Sequence, residues 1–215
     1  MTGRDDSHEE PGAAARSASI SVTVTLLTTE HYNLQSLRAA TIGEANGRAS
    51  IFLGGVSAGL IAIGFHGTSG GRSPGTTTFD VLVLSCLSFL GVVTFVRCVE
   101  LAIDDWQYYR RIDALRQRYA MLAPEVEELI ALSIEAEQSA TMLTPGRRAF
   151  QMMLTVAGSI GVVTGVLCGA DVGVLAYGLH ASFVTALVIG AAVGLFITAA
   201  CDRFQRARWS GAITA

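Results

Sequence analysis

From Ala149 to Ala170 the chain reads AFQMMLTVAGSIGVVTGVLCGA, without a single charged side chain. About 20 such residues are what an α-helix needs to cross a hydrocarbon core of about 30 Å. Inside a bilayer every backbone N–H and C=O must be satisfied within the spanning segment, so few folds remain open. Three more apolar runs are present: Ala49 to Phe65, Phe79 to Ile103, whose charges Asp80, Arg97 and Glu100 lie toward its ends, and one lying within Gly178 to Cys201. Composition agrees, with 51% hydrophobic and only 15% charged residues, where a soluble domain carries about 25% charged. The expected fold class is all-α: four transmembrane helices in two hairpins, with a cytosolic helical extension of the first and second spans.

Orientation follows from the arginines, because basic residues stay on the cytosolic side of short loops. Arg38 and Arg48 flank the first span, six arginines lie between the second and third, and Arg203, Arg206 and Arg208 follow the fourth. The loop between the first and second spans has only Arg72, and that between the third and fourth has none. A multi-pass protein of the bacterial cytoplasmic membrane with both termini cytosolic is expected. Trp106 and Trp209 then lie just beyond the inner helix ends and Tyr177 near the outer end of the fourth span, where interfacial aromatics belong. The N-terminus has no apolar stretch before a cleavage site, so the first span is expected to direct insertion.

Residues 1–19 are polar and read as a disordered tail. In residues 20–48 Ile20, Val22, Val24 and Leu26 alternate with Ser and Thr at the period of a strand, and an extended linker is the competing reading. A helix can start at Thr28 or Thr29, followed by Glu30 in its first turn, and continue into the first span. His66 to Thr78 is turn-rich. The first transmembrane hairpin is 49–103, the cytosolic helical region 104–148, the second hairpin 149–201 and the C-terminal tail 202–215.

Phe95 to Arg111, FVRCVELAIDDWQYYRR, passes from apolar to charged at the inner boundary. Arg97 and Glu100, three apart, share a helix face and are expected to form an ion pair there; lining a polar cavity or binding lipid phosphate is the functional alternative. Beyond it Tyr108, Ile112, Leu115, Tyr119 and Leu122 follow a 4-3-4-3 spacing, a seam of about two heptads. Three elements are open as its cover: the Leu34/Leu37 face, the same seam in another subunit, and a helix after Pro124 with Val126, Leu129, Ile130 and Ile134 for burial.

Small residues recur every fourth position in the later spans: Ala157, Gly161, Gly165 and Gly169 in the third, Ser182, Ala186, Gly190 and Gly194 in the fourth. Gly55 and Gly59 make a shorter ridge in the first. Such ridges let helix backbones approach closely in lipid. Packing within one hairpin and packing between subunits are both open. Arg48, Ala49 and Val56 also match Arg148, Ala149 and Val156 at a separation of 100 residues, which an internal duplication would produce.

No catalytic constellation is present, nor a phosphate-binding, zinc or dinucleotide motif. His8, His31, His66 and His180 are scattered. Cys86, Cys98, Cys168 and Cys201 sit at wide spacings in apolar runs and fit small buried hydrophobes. No cofactor, metal or enzymatic activity is expected, and a net charge of -3 offers no general surface for nucleic acid. Membrane lipids are the certain environment; a second copy of the chain and a cytosolic protein or signal are the partners to test.

HYNLQSLRAATIGEANGRASIFLGGVS and LGVVTFVRCVELAIDDWQYYRRI look like a family of uncharacterised actinobacterial integral membrane proteins, over about Glu30 to Leu122. All basic residues being arginine, with abundant Ala and Gly, suits such a GC-rich source. The arrangement of helix, membrane hairpin and long cytosolic helix is also similar to SLATT-type effector modules of bacterial conflict systems. The second hairpin departs from that pattern. The resemblance implies a cytosolic helical region that senses a signal or partner, and a membrane region that oligomerises and permeabilises. A non-enzymatic interaction or effector module is the expected function; a small channel or passive transporter and a structural scaffold are the alternatives.

Overall fold

The structure, a computed structural model, describes residues 10–68, 74–122 and 155–214. They form four α-helices, α1 (Glu10–Thr68), α2 (Pro74–Leu122), α3 (Val156–Gly178) and α4 (Phe183–Thr214), and no described residue lies in a strand. Each helix is long and apolar enough to cross a membrane.

The start of α1 corrects two expectations. Helix begins at Glu10, inside the expected tail, and runs through residues 20–29, where a strand or linker was expected, without a new start at Thr28 or Thr29. The hydroxyls explain it. Thr23, Thr25, Thr28 and Thr29 each donate to the carbonyl four residues back, on Ser19, Ser21, Val24 and Thr25, at 2.8–2.9 Å. Alternation of apolar and hydroxyl residues signals a strand only when the hydroxyls seek solvent; here each is satisfied on its own helical turn. A lone strand would leave its backbone unpaired, whereas the helix pairs its own.

Other boundaries move for similar local reasons. His66–Thr68 close α1 and Pro74–Thr78 open α2, with proline at a first-turn position that needs no N–H donor. Thr155, in extended conformation, caps α3 by accepting the Gly158 N–H at 3.1 Å. The helix then passes through Asp171 to Gly178, beyond the expected end at Ala170, so Tyr177 belongs to its last turn and not to the fourth span. Ser182 caps α4 by accepting the Thr185 N–H at 3.2 Å. Between the two helices His180 has φ of 71°, a left-handed conformation that closes a four-residue connection. α4 continues past Cys201 to Thr214, through the expected tail, carrying an Arg206–Asp202 pair at 2.6 Å one turn apart. Residues 123–148, with the helix expected after Pro124, and the expected start of the third span at Ala149 lie outside the described residues.

The chain divides into two compact units, residues 1–40 with 106–138 and residues 41–105 with 139–215. In the first, Leu34 and Ile112 are buried. His31 meets Tyr119 edge-on at 6.0 Å, Arg38 lies 5.4 Å over the Tyr109 ring, and Trp106 stacks on Tyr109 at 5.6 Å. In the second, Phe52, Val56, Leu84, Leu87, Phe95 and Val99 build a core with Ile160 and Leu167 of α3. Many large apolar side chains face outward, among them Ile51, Phe89, Leu195 and Phe196. Lipid is the solvent in which such a surface costs nothing.

Candidate functional site

Glycine makes the close helix contacts of the membrane unit possible. Along α3 and α4, contacts descend one helix as they ascend the other: Gly161 meets Cys201, Gly165 meets Thr198 and Gly194, Gly169 meets Gly190 and Gly194, and Gly173 meets Ala186. A Cβ on Gly169 would stand 2.5 Å from the Gly190 carbonyl oxygen, and one on Gly190 would stand 2.6 Å from that of Gly169. Ala157 and Ala186 are buried as well. In α1, Gly59 faces Leu87 and Val83, and a Cβ on Gly55 would stand 3.9 Å from Leu90. Of the residues matched in the duplication reading, Val56 is buried and Val156 exposed, while Arg148 and Ala149 lie outside the described residues.

α2 and α3 also run antiparallel, fixed at four levels. Phe95 covers Gly161, Thr164 fills the space beside Gly91, the Ser85 hydroxyl donates to Asp171 Oδ2 at 2.7 Å, and Thr77 sits against Gly178. Asp171 lies seven residues before Gly178, about 10 Å along the helix. Sequence reading ends the third span at Ala170, because a charge following an apolar run resembles the run's end. In the structure Asp171 is helical, half-buried and bonded to a neighbouring helix. Its Oδ1 is buried and has no hydrogen-bond partner among the described residues, and the same holds for Ser88 Oγ and Asp80 Oδ1 on α2. Ser85 and Ser88 escaped the sequence reading; two serines one turn apart in an apolar span were the available signal. An open groove of about 790 Å³, lined by Thr77, Val81, Leu175, Tyr177 and His180, lies at the Gly178 end of these helices.

Midway along α2, Arg97 bonds Glu100 at 3.3 Å, and it also bonds Glu44 of α1 at 3.3 Å. Glu44 in turn holds Arg48 at 2.9 Å. Sequence spacing shows the Arg97–Glu100 pair but not Glu44, which is 53 residues away. With side chains near 40% exposed these groups are screened, and their attraction is modest.

Of the heptad seam, Ile112 is buried, Tyr108, Leu115 and Tyr119 are half-buried, and the Leu122 side chain lies outside the described residues. Arg111 lies 5.9 Å over the Tyr108 ring. His31 Nε2 accepts a 2.9 Å hydrogen bond from the Gln35 amide nitrogen, while its buried Nδ1 has no partner among the described residues. Burial, with Arg116 nearby, holds the His31 pKa below its ordinary value. All four cysteines are free; Cys98 is buried and Cys168 and Cys201 are half-buried, but Cys86 is exposed, against the expectation for it. Among the described residues no three His, Cys, Asp or Glu side chains are placed to hold a metal ion.

No family model, curated protein or solved structure matches the chain.

Proposed function

We propose that the chain is a non-enzymatic module of the bacterial cytoplasmic membrane, with both termini cytosolic, whose polar helical unit docks a partner while the four-helix unit anchors it or acts on the membrane. The observation that carries this reading is the surface of the helical unit, where Val22, Leu26, Tyr32 and Met121 are each more than half exposed. In water, exposed apolar side chains of this size, Val22 and Leu26 one turn apart on α1, mark an interaction surface. The arginine distribution supports the orientation. Site-directed photocrosslinking in cells tests it, with the reactive group at Leu26 or Met121 and, as a lipid-facing control, at Phe196. One discrete adduct of the same mass from both helical-unit positions and none from Phe196 is expected; adducts with lipid alone at all three positions would refute partner docking.

A small channel or passive transporter is the second reading, favoured by the Ser85–Asp171 contact inside an apolar span. Its measurement is membrane depolarisation on induction in bacterial cells, beside an equally abundant Gly165→Leu variant that wedges α3 from α4 against Thr198 and Gly194. Depolarisation by the parent alone supports it, and silence from both removes a constitutively open pore.

A further inference from the structure

Among the described residues the ion pairs are Arg48–Glu44, Arg97–Glu44, Arg97–Glu100 and Arg206–Asp202, and none includes Asp171. Its carboxylate is held on one side only, by the Ser85 hydroxyl at 2.7 Å, while Oδ1 is buried without a partner. Ser88 is 9% exposed, and its Oγ too is unpartnered among the described residues. The register that sets Ser85 against Asp171 and Gly91 against Thr164 puts Ser88 on the α2 stretch between those contacts, one turn from Ser85 on the face toward α3. A carboxylate and a hydroxyl thus share one short stretch of interface, and each has unused bonding capacity.

An ionised carboxylate in surroundings of low dielectric is costly until a positive charge neutralises it. A buried hydroxyl without a partner is costly as well. A small cation between α2 and α3 answers both, because Ser85 can donate to Oδ2 and still offer a lone pair. The donor set consists of oxygen alone, which selects a hard cation over a soft transition metal. One carboxylate balances a single positive charge. Access exists at the Gly178 end, where Val81 and Leu175 line the open groove and lie one helical turn from Ser85 and Asp171 respectively. We propose that Ser85, Ser88 and Asp171 form a binding site for a monovalent cation of sodium's class. The site stands independently of partner docking by the helical unit.

The test is thermal unfolding of the purified full chain in lipid nanodiscs at fixed pH, with sodium chloride replacing choline chloride at constant ionic strength. A ligand bound only by the folded state raises the melting temperature with its concentration. The parent is expected to gain roughly 3–5 °C per tenfold of sodium above the dissociation constant. Asp171→Asn, which keeps the shape and an acceptor for Ser85, should lose the gain, and Ser88→Ala should need at least about tenfold more sodium for the same rise. Equal melting of the parent in the two salts overturns the proposal, as does an undiminished sodium response in Asp171→Asn. Melting that ignores sodium but varies with pH, in the parent and not in Asp171→Asn, overturns it in favour of a proton. If Asp171→Asn fails to fold, the salt series on the parent and on Ser88→Ala decides alone.

Discussion

Alanine at Gly169 is a one-carbon change aimed at the tightest contact of α3 with the backbone of α4. The new Cβ would lie 2.5 Å from the Gly190 oxygen, 3.0 Å from Gly194 Cα and 3.1 Å from Gly194 N. Carbon and carbonyl oxygen rest at about 3.3 Å even in close helix contacts, so the helices must part by about 0.8 Å. All three obstacles are backbone, and no rotamer change relieves them. A gap of that size forfeits roughly a quarter to a half of the dispersion energy of the facing atoms, and overpacking alone costs about 1–3 kcal/mol. A loss of about 2–3 kcal/mol is expected, read as a fall of roughly 4–10 °C in melting temperature. Gly54→Ala is the control: nothing lies within 4 Å of its Cβ position, and alanine there should be neutral or raise stability by up to about 1 kcal/mol. Thermal melts followed by size-exclusion chromatography in one detergent give both numbers. If Gly169→Ala melts at or above the parent, the reasoning from backbone contact fails.

Other substitutions probe the remaining contacts. Phe52→Ala empties a fully buried site at the centre of the core and should cost about 3–5 kcal/mol, whereas Phe196→Ala, at a position 71% exposed, should leave the detergent melt nearly unchanged. His31 has a pKa lowered by burial, so between that value and the ordinary one near 6.5 the unfolded chain binds more protons than the folded chain. Stability is therefore complete above the ordinary value and falls as pH drops through this window; the fall should be smaller in His31→Asn when melts are compared between pH 5 and 8. For Glu44 and Arg97, a double-mutant cycle with Glu44→Gln and Arg97→Gln should give a small coupling that fades in high salt, and a large salt-insensitive coupling would mean the pair is shielded from water.

The four spans were legible because lipid demands long uncharged helices, a demand written directly in composition. The glycines were legible in spacing, since four-residue recurrence is the helix's own geometry, but which helix each ridge meets is not a property of spacing. The third span was ended one residue before Asp171 for an instructive reason. Hydropathy treats a charge as the end of a span, yet a single partner such as Ser85, 86 residues away, lets the helix carry the carboxylate onward. Glu44 was invisible beside Arg97 for the same reason: the bond closes across two helices. At residues 20–29 the local signal itself misled, because the alternation of side-chain polarity says nothing about where each hydroxyl finds its acceptor.

That hydroxyl run changes what the first part of α1 presents to its surroundings. A free hydroxyl moved from water to hydrocarbon costs about 4–8 kcal/mol on a scale without compensation. Thr23, Thr25, Thr28 and Thr29 spend their protons on their own helix, so they present chiefly methyl groups outward. Between Ser21 and Thr29 the chain writes polar letters and displays a nearly neutral surface, at home in water or in lipid. The first residue of α1 beyond this run to carry a charge is Glu30, so these turns can lie against water or against an apolar partner at little cost.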